Sequence, residues 1–448
     1  MSGVKKGTAI LMCVLFLFSA FLPVCCVAES QTESALPALT AKGRKIVDEN
    51  GEQVILRGIN VGGWLIMEEW MSPYTVTGGN AEAFRILEER FGREDTYALF
   101  DSYYDHFLTA RDIEMIAELG YNCVRVPFWY RNFMYDDQGT WMLDENGNRD
   151  LSRLEWIVAE CEKNGLYVIL DLHGAPGAQG DNEHCGELEN CRLFEDSEQG
   201  EQWRALTAEI WKTVAERFVG NNTVCMYDIL NEPLCDVSTS NEDFQMLWEV
   251  YDQCYDAIRA VDEDTMITME GTWRYNRLPR PGKYNWKNVV YQIHLYDKTN
   301  ETYAAAVLES LYNYYKVPLF IGEFHPKKDA TWDYIFALFN TYDVSWCAWS
   351  YKGVNEWMFD SNWFVYSDKP AYAKADVEND SYETLLEKWG ENLQTDSEYF
   401  QRTPFYDLMK PYLEGKELDK ADVPKWTFRL RSRFWATVHW FEAIFVGL

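Results

Sequence analysis

The sequence predicts an α/β protein built on a single (β/α)₈ TIM barrel. Eight apolar runs of strand length recur along it, at 54–60, 121–126, 167–172, 224–230, 265–270, 289–293, 317–322 and 344–349. Most show no alternation of polar and apolar residues, as expected of strands buried on both faces. Segments with helical spacing separate them, so consecutive strands run parallel. Eight such units favour a closed barrel over a doubly wound sheet.

The bulk properties agree. With 448 residues the chain can hold a barrel of about 250 residues plus long loops. A hydrophobic content of 47% supplies the core. The formal net charge of -31 argues against nucleic acid and anionic polysaccharide as partners and favours a neutral one.

Taken in order, Lys5 and Lys6 precede an apolar run at 9–27 that ends in Cys26-Val27-Ala28. Residues 1–28 read as a secretory signal cleaved after Ala28, which predicts a secreted, extracellular protein; an uncleaved anchor is the alternative. The barrel domain is expected over 29–415. Its first strand starts at Val54 and runs into Arg57-Gly58-Ile59-Asn60. Gly62 and Gly63 turn the chain toward 64–70, where Glu68 and Glu69 stand among large apolar residues as rim groups or ligand contacts.

Thr109 and Asp112 cap a helix carrying Ile113 and Ile116, with Gly120 as its stop, and Pro127 closes the strand that follows. Leu154, Ile157, Val158 and Cys161 mark the next helix, ended by Asn164-Gly165 before a strand that reaches His173. Trp203, Leu206, Ile210, Val214 and Phe218 precede the strand to Glu232; Phe244, Leu247, Trp248, Tyr251 and Ile258 precede the fifth. The sixth ends at His294 and Tyr296. Leu308, Leu311 and Tyr315 predict a helix before the strand to Glu323, and Trp332, Ile335, Phe336 and Phe339 one before the strand to Trp349.

Residues 380–412 read as further helix with acidic faces. Over 416–448 the character changes: Lys425, Arg429, Arg431 and Arg433 interleave with aromatic and apolar side chains. This tail either docks on the barrel or contacts an anionic membrane or cell-wall surface. Of the eight cysteines after the signal, most lie in apolar periodic segments and are expected as buried thiols. Cys185 and Cys191 share a polar loop, where a local disulfide is expected. A zinc site there is disfavoured, because only His184 is near and no second pair has ligand spacing. No metal or cofactor is predicted.

Chemistry gathers at the strand ends. Arg125, His173, Asn231 with Glu232, His294 with Tyr296, Glu323 and Trp349 all close apolar runs. In a barrel of this kind such residues meet at the C-terminal face. Any one alone is commonplace: a lone Arg is usually a core-edge ion pair, a lone His a hydrogen-bonded core residue. Together they make a site. Two carboxylates on opposed strands can act on a glycosidic bond, one as proton donor and the other as nucleophile or base. The 19 Trp and 28 Tyr serve packing first, but clefts that bind sugars also use flat aromatic faces.

The motifs Asn122-Cys123-Val124-Arg125, Asp171-Leu172-His173-Gly174, Leu230-Asn231-Glu232-Pro233, His294-Leu295-Tyr296, Gly322-Glu323-Phe324 and Trp349 closely resemble glycoside hydrolase family 5. The resemblance covers about 53–351. It implies Glu232 as acid/base and Glu323 as nucleophile of a retaining enzyme. Asn231 is implied to bind the sugar 2-hydroxyl, Arg125 and Tyr296 to flank the nucleophile, and His173, His294 and Trp349 to shape the subsite of the reacting sugar.

Within that family, Leu56-Arg57-Gly58-Ile59-Asn60-Val61-Gly62-Gly63-Trp64 with Glu68, and His173-Gly174-Ala175-Pro176-Gly177-Ala178-Gln179, are similar to the exo-1,3-β-glucanase branch. This implies that Glu68 and Asp181 hold the terminal glucose of a neutral β-glucan. Phe324 and Leu295 depart from that branch. An endo-1,4-β-glucanase (cellulase), a β-mannanase, or a barrel that binds carbohydrate without catalysis are the alternatives.

Overall fold

Eight parallel strands close into one barrel: β1 (Arg57–Asn60), β2 (Cys123–Trp129), β3 (Tyr167–Gly174), β4 (Val224–Asp228), β5 (Met266–Glu270), β6 (Val289–His294), β7 (Leu319–Glu323) and β8 (Ser345–Ala348). The computed structural model describes residues 36–417 and 419, apart from 76–77, 189, 236, 272–276, 297–314, 325–331, 356–362 and 368. The leader, the tail from 420 and the helix expected over 308–315, save Tyr315, fall outside the described residues. Contacts divide the chain into Met1–Glu33 and Ser34–Leu448, and every described residue belongs to the second unit. No helix among them is long and apolar enough to cross a membrane.

The inward positions of the strands change character along the barrel axis. Near the N-terminal ends Cys123, Ile169, Met226, Met266, Val290, Phe320 and Cys347 form an apolar plug. Two residues further on, the same faces carry Arg125, Asp171, Asp228, Thr268 and Gln292, all fully buried. Side chains on a strand alternate between faces, so these groups line the interior above the plug. The outward positions, such as Val124, Leu170, Tyr227, Ile267 and Ile321, pack beneath the helices.

Crossovers are helical where expected. A hairpin of α1 (Gly79–Phe91) and α2 (Arg93–Phe107) leads to α3 (Ala110–Glu118), whose capping box is Thr109 and Asp112. Then come α4 (Ser152–Lys163), α5 (Glu198–Phe218) and α6 (Asn241–Arg259) before β3, β4 and β5, and α7 (Trp332–Thr341) before β8. In the connection from β5 to β6 the described residues include the short turn of helix Pro281–Lys283. The acidic stretch after 380 supplies α8 (Tyr382–Lys388) and α9 (Phe405–Leu413).

Strand limits shift by a few residues throughout, and two of the shifts have a clear cause. Residues 54–56 lie outside β1, because the Leu56 amide donates to Ser345 Oγ at 3.0 Å rather than to a barrel neighbour's backbone. Pro127 does not end β2. Pairing with β1 stops at Arg125 while pairing with β3 continues to Trp129, so Pro127 sits where one side of the strand is open and a missing N–H is tolerated.

Candidate active site

Glu323 is turned inward by an irregularity. Leu319 and Ile321 face the outer helices and Phe320 the plug, so strict alternation would point residue 323 outward. The register against β6 slips between Ile321 and Glu323, and such a slip re-aims the next side chain. Gly322 takes the inward position between: a Cβ there would stand 1.7 Å from Gln292 Oε1. Glu323 Oε1 then accepts from Arg125 Nη1 at 2.7 Å and Oε2 from the Tyr296 hydroxyl at 2.5 Å.

Arg125 ties this end of the barrel together. Fully buried on β2, its guanidinium donates to Asp228 Oδ2 at 2.9 Å, Asn60 Oδ1 at 3.0 Å and Asn231 Oδ1 at 2.9 Å, and lies 3.1 Å from Asp171 Oδ2. Burial disfavours its charge, but Asp171, Asp228 and Glu323 outweigh that and hold its pKa high. Burial pushes the carboxyls of Asp171 and Asp228 up to about 7 against the pull of Arg125. Gln292 Nε2 donates to both oxygens of Asp228 at 2.9 Å.

Glu232 stands past β4 with φ 40°, a region few side chains adopt. Its amide donates to Glu270 Oε2 at 2.8 Å, which fixes the backbone there. Its carboxylate Oε1 is 2.6 Å from His294 Nδ1, and the same nitrogen lies 3.4 Å from Glu323 Oε2. Burial depresses the pKa of His294, and likewise of His173, to about 3, so both rings are neutral at ordinary pH. His173 Nδ1 lies 2.6 Å from Asp171 Oδ2, its Nε2 is 3.2 Å from Asn231 Nδ2, and its ring stacks on Trp349 at 5.3 Å. Gln179 secures the turn by donating to the carbonyls of His173 and Asn231.

Burial, followed by the charge of Glu323, holds the Tyr296 hydroxyl protonated as a donor. Glu68 is half-buried; its Oε2 accepts from Trp70 Nε1 at 2.6 Å. Burial raises its pKa well above the carboxylate range, and the charges of Glu183, Glu323 and Glu232 add to the rise.

The structure thus brings together Arg125, His173, Asn231, Glu232, His294, Tyr296, Glu323 and Trp349, with Glu68 within reach of their field. Asp181 Oδ1 accepts from the Cys191 amide at 3.0 Å, and Glu183 is the acid beside Glu68. Cys185 and Cys191 are free thiols, which corrects the expected disulfide. Cys185 is fully buried, its sulfur 3.1 Å from where a Cβ of Gly180 would stand, whereas Cys191 is only half-buried and its amide is tied to Asp181. Glu270 was missed by sequence reasoning, although it ends an apolar run just as Glu232 and Glu323 do. His184, 3.7 Å from Glu232 Oε2, had no such signal. A separate cavity of about 510 Å³, between the α1–α2 hairpin and the loop after β2, is lined by Phe84, Tyr97, Tyr135 and Trp156 and holds none of these groups.

Solved structures share the fold. An endogalactoceramidase superposes with a TM-score of 0.56 at 19% identity, over 79% of this chain and 84% of that one. A rutinosidase from Aspergillus niger gives 0.54 at 15%, over 67% and 90%. In sequence, the chain is similar to a β-xylosidase of Phanerodontia chrysosporium, 32% identical over 263 residues, 58% of this chain and 52% of that protein. It is also similar to a glucan 1,3-β-glucosidase of Candida oleophila, 28% identical over 253 residues, 54% and 56% of the two chains. It spans about half the length of the curated relatives it matches. The family model for cellulase (glycosyl hydrolase family 5) matches residues 88–355, which take in seven of the eight barrel strands together with Glu232 and Glu323; the chain belongs to glycosyl hydrolase family 5.

Proposed function

We propose that the protein is a retaining β-glycosidase that removes glucose from the ends of a neutral β-glucan, with β-1,3 linkages preferred. One observation carries the reaction type. Glu232 and Glu323 both approach His294 Nδ1, at 2.6 and 3.4 Å. Their nearest oxygens are therefore no further apart than those two distances end to end, which accords with the roughly 5–5.5 Å between the carboxyl groups of a retaining pair. Glu323, held by Arg125 and Tyr296, attacks the anomeric carbon while Glu232 protonates the leaving oxygen. Once Glu323 is esterified its charge is gone, and Glu232 takes the proton of the incoming water. The water's oxygen then displaces Glu323 from carbon, with retention overall.

Two hydrogen bonds between loops support action at chain ends. The Glu69 amide donates to Glu183 Oε2 at 3.1 Å, and the Ala81 amide to the Gly186 carbonyl at 2.9 Å. The loop after β3 is thereby knitted to the segment after β1 next to Glu68, as a closed-off cleft would require. The similarity to a β-xylosidase favours a second substrate, since a xyloside lacks only the glucose hydroxymethyl group. Export belongs to the same reading, with a mature terminus near Glu29 and the tail from Lys425 on a surface; N-terminal sequencing of extracellular protein tests it.

Proton NMR of the first sugar released from laminarin tests the reaction: β-anomer first is expected, and α-anomer first overturns the assignment of Glu323. Product profiles on laminarin, carboxymethylcellulose and mannan, with aryl β-glucoside and β-xyloside compared, test the substrate. Glucose as the sole early product of laminarin is expected. Early oligosaccharides mean endo action, and faster aryl xyloside turnover means the second substrate.

A further inference from the structure

The acid/base glutamate has two neighbours the reaction does not use. Beyond Glu232 the backbone curls sharply, with Leu234 at φ 62°, and the Cys235 amide donates back to the Glu232 carbonyl at 3.2 Å. This brings the Cys235 thiol beside the carboxylate three residues before it. From the opposite loop, the helical turn Glu183–Cys185, capped by Asn182, presents His184 Nε2 at 3.7 Å from Glu232 Oε2. One ligand atom each from His184, Glu232 and Cys235 all lie within 4.8 Å of one another, and all three residues are buried. The backbone fixes the arrangement: the Leu234 amide donates to the Gln179 carbonyl at 2.6 Å and the Asp181 amide to the Cys235 carbonyl at 3.2 Å.

We propose that His184, Glu232 and Cys235 form a seat for one divalent cation of the zinc class, and that its occupation reversibly shuts off the acid/base. An imidazole, a thiolate and a carboxylate are a ligand set zinc takes, at about 2.0–2.3 Å, with the fourth position open. Ligand atoms around such an ion sit about 3.5 Å apart, so the seat needs a contraction of up to about 1.3 Å. The two anionic ligands neutralise the ion. Glu270 lies beside the seat, and burial together with the charge of Glu232 holds its carboxyl well above the usual range, so the ion's charge is met by its own ligands. Binding releases the thiol proton and any proton on Glu232, so occupancy rises with pH. With its carboxylate on the metal, Glu232 has no proton to give the leaving group.

A second trio, Glu232, Glu270 and His294, also lies close, but it offers no sulfur. Zinc ions added to the wild-type protein, in a buffer that does not chelate, distinguish the two. Zinc is expected to inhibit aryl glucoside hydrolysis by the wild type and by Cys191→Ala alike. Cys235→Ala should keep its metal-free turnover and need at least about tenfold more zinc, since losing even an outer partner of a ligand costs roughly 10–100-fold in affinity. Cys235→Ser serves equally if the alanine variant folds poorly. Cobalt(II) supplies a readout independent of activity: a thiolate-to-cobalt absorption band in the wild type, absent from Cys235→Ala. The proposal rests on the glycosidase reading only for inhibition, and the band decides the seat even if no glycoside is turned over. Equal zinc sensitivity of wild type and Cys235→Ala, or no cobalt–thiolate band, overturns it.

Discussion

The backbone amide of Glu232 donates to the side chain of Glu270, Oε2, at 2.8 Å. One acid thus holds the main chain of another in a conformation with φ 40° that it would otherwise leave. Burial, and then the charge of Glu232, raises the Glu270 carboxyl well above its usual range. Glu270→Ala removes the acceptor and leaves a buried N–H unmatched, at a cost of about 1–3 kcal/mol. The expected result is a fall of roughly 10–100-fold in kcat with little change in KM. Glu270→Gln keeps an acceptor oxygen and should recover most of the rate. Equal defects in the two variants would mean that the carboxylate itself acts in the reaction.

Tyr296→Phe removes the 2.5 Å hydrogen bond to Glu323 without emptying the site. A bond to a charged acceptor is worth about 1.5–3 kcal/mol, so formation of the glycosyl-enzyme should slow about tenfold or more. Stopped-flow with an aryl glycoside reads that step directly. An unchanged burst rate would remove Tyr296 from the machinery.

Buried histidines predict acid sensitivity. An unfolded imidazole titrates near 6.5, whereas His173 takes no proton in the folded state until about pH 3. Between those values the unfolded chain binds the extra proton, so this group's contribution to stability is full above pH 6.5 and shrinks as pH falls. His173→Asn should therefore show a stability profile less steep by about one proton, near 1.4 kcal/mol per pH unit, from pH 6 to 4. Urea denaturation at fixed pH steps measures it; parallel profiles for the two proteins contradict it.

Lys352 is fully buried after β8, and burial lowers its pKa to about 8. Its ammonium donates to the Phe107 carbonyl at 2.7 Å and to the Leu393 carbonyl, joining the α1–α2 insertion to the segment before α9. Lys352→Met keeps the stem and strands both acceptors, so a loss of about 1–3 kcal/mol per carbonyl is expected. A denaturation midpoint equal to the wild type's would show that the carbonyls find other donors.

The catalytic ends of the strands were legible because a buried parallel strand is a plain apolar run, and a charged residue closing one is conspicuous. Glu270 obeys the same rule and was open to the same reasoning. The inward turn of Glu323 was not, because period-two alternation points it outward and only the slip against β6 reverses it. Nor was the α1–α2 hairpin, whose apolar residues are diluted by charges such as Arg85, Glu88, Glu89 and Arg90. The match of Asp181 to a sugar contact came from position in a loop. Loop position does not say what a side chain bonds to, and here its Oδ1 accepts from the Cys191 amide.

Arg125 lies 65 residues from Asn60, 103 from Asp228 and 198 from Glu323, yet its guanidinium donates to all three. On the ribosome it emerges long before the carboxylate of β7, and until that strand arrives the cation has only part of its complement. A chain released before β7 is complete therefore carries the arginine without its last counter-charge, in a barrel that cannot shut. The residue that ties down Glu323 thus also distinguishes a finished chain from a truncated one.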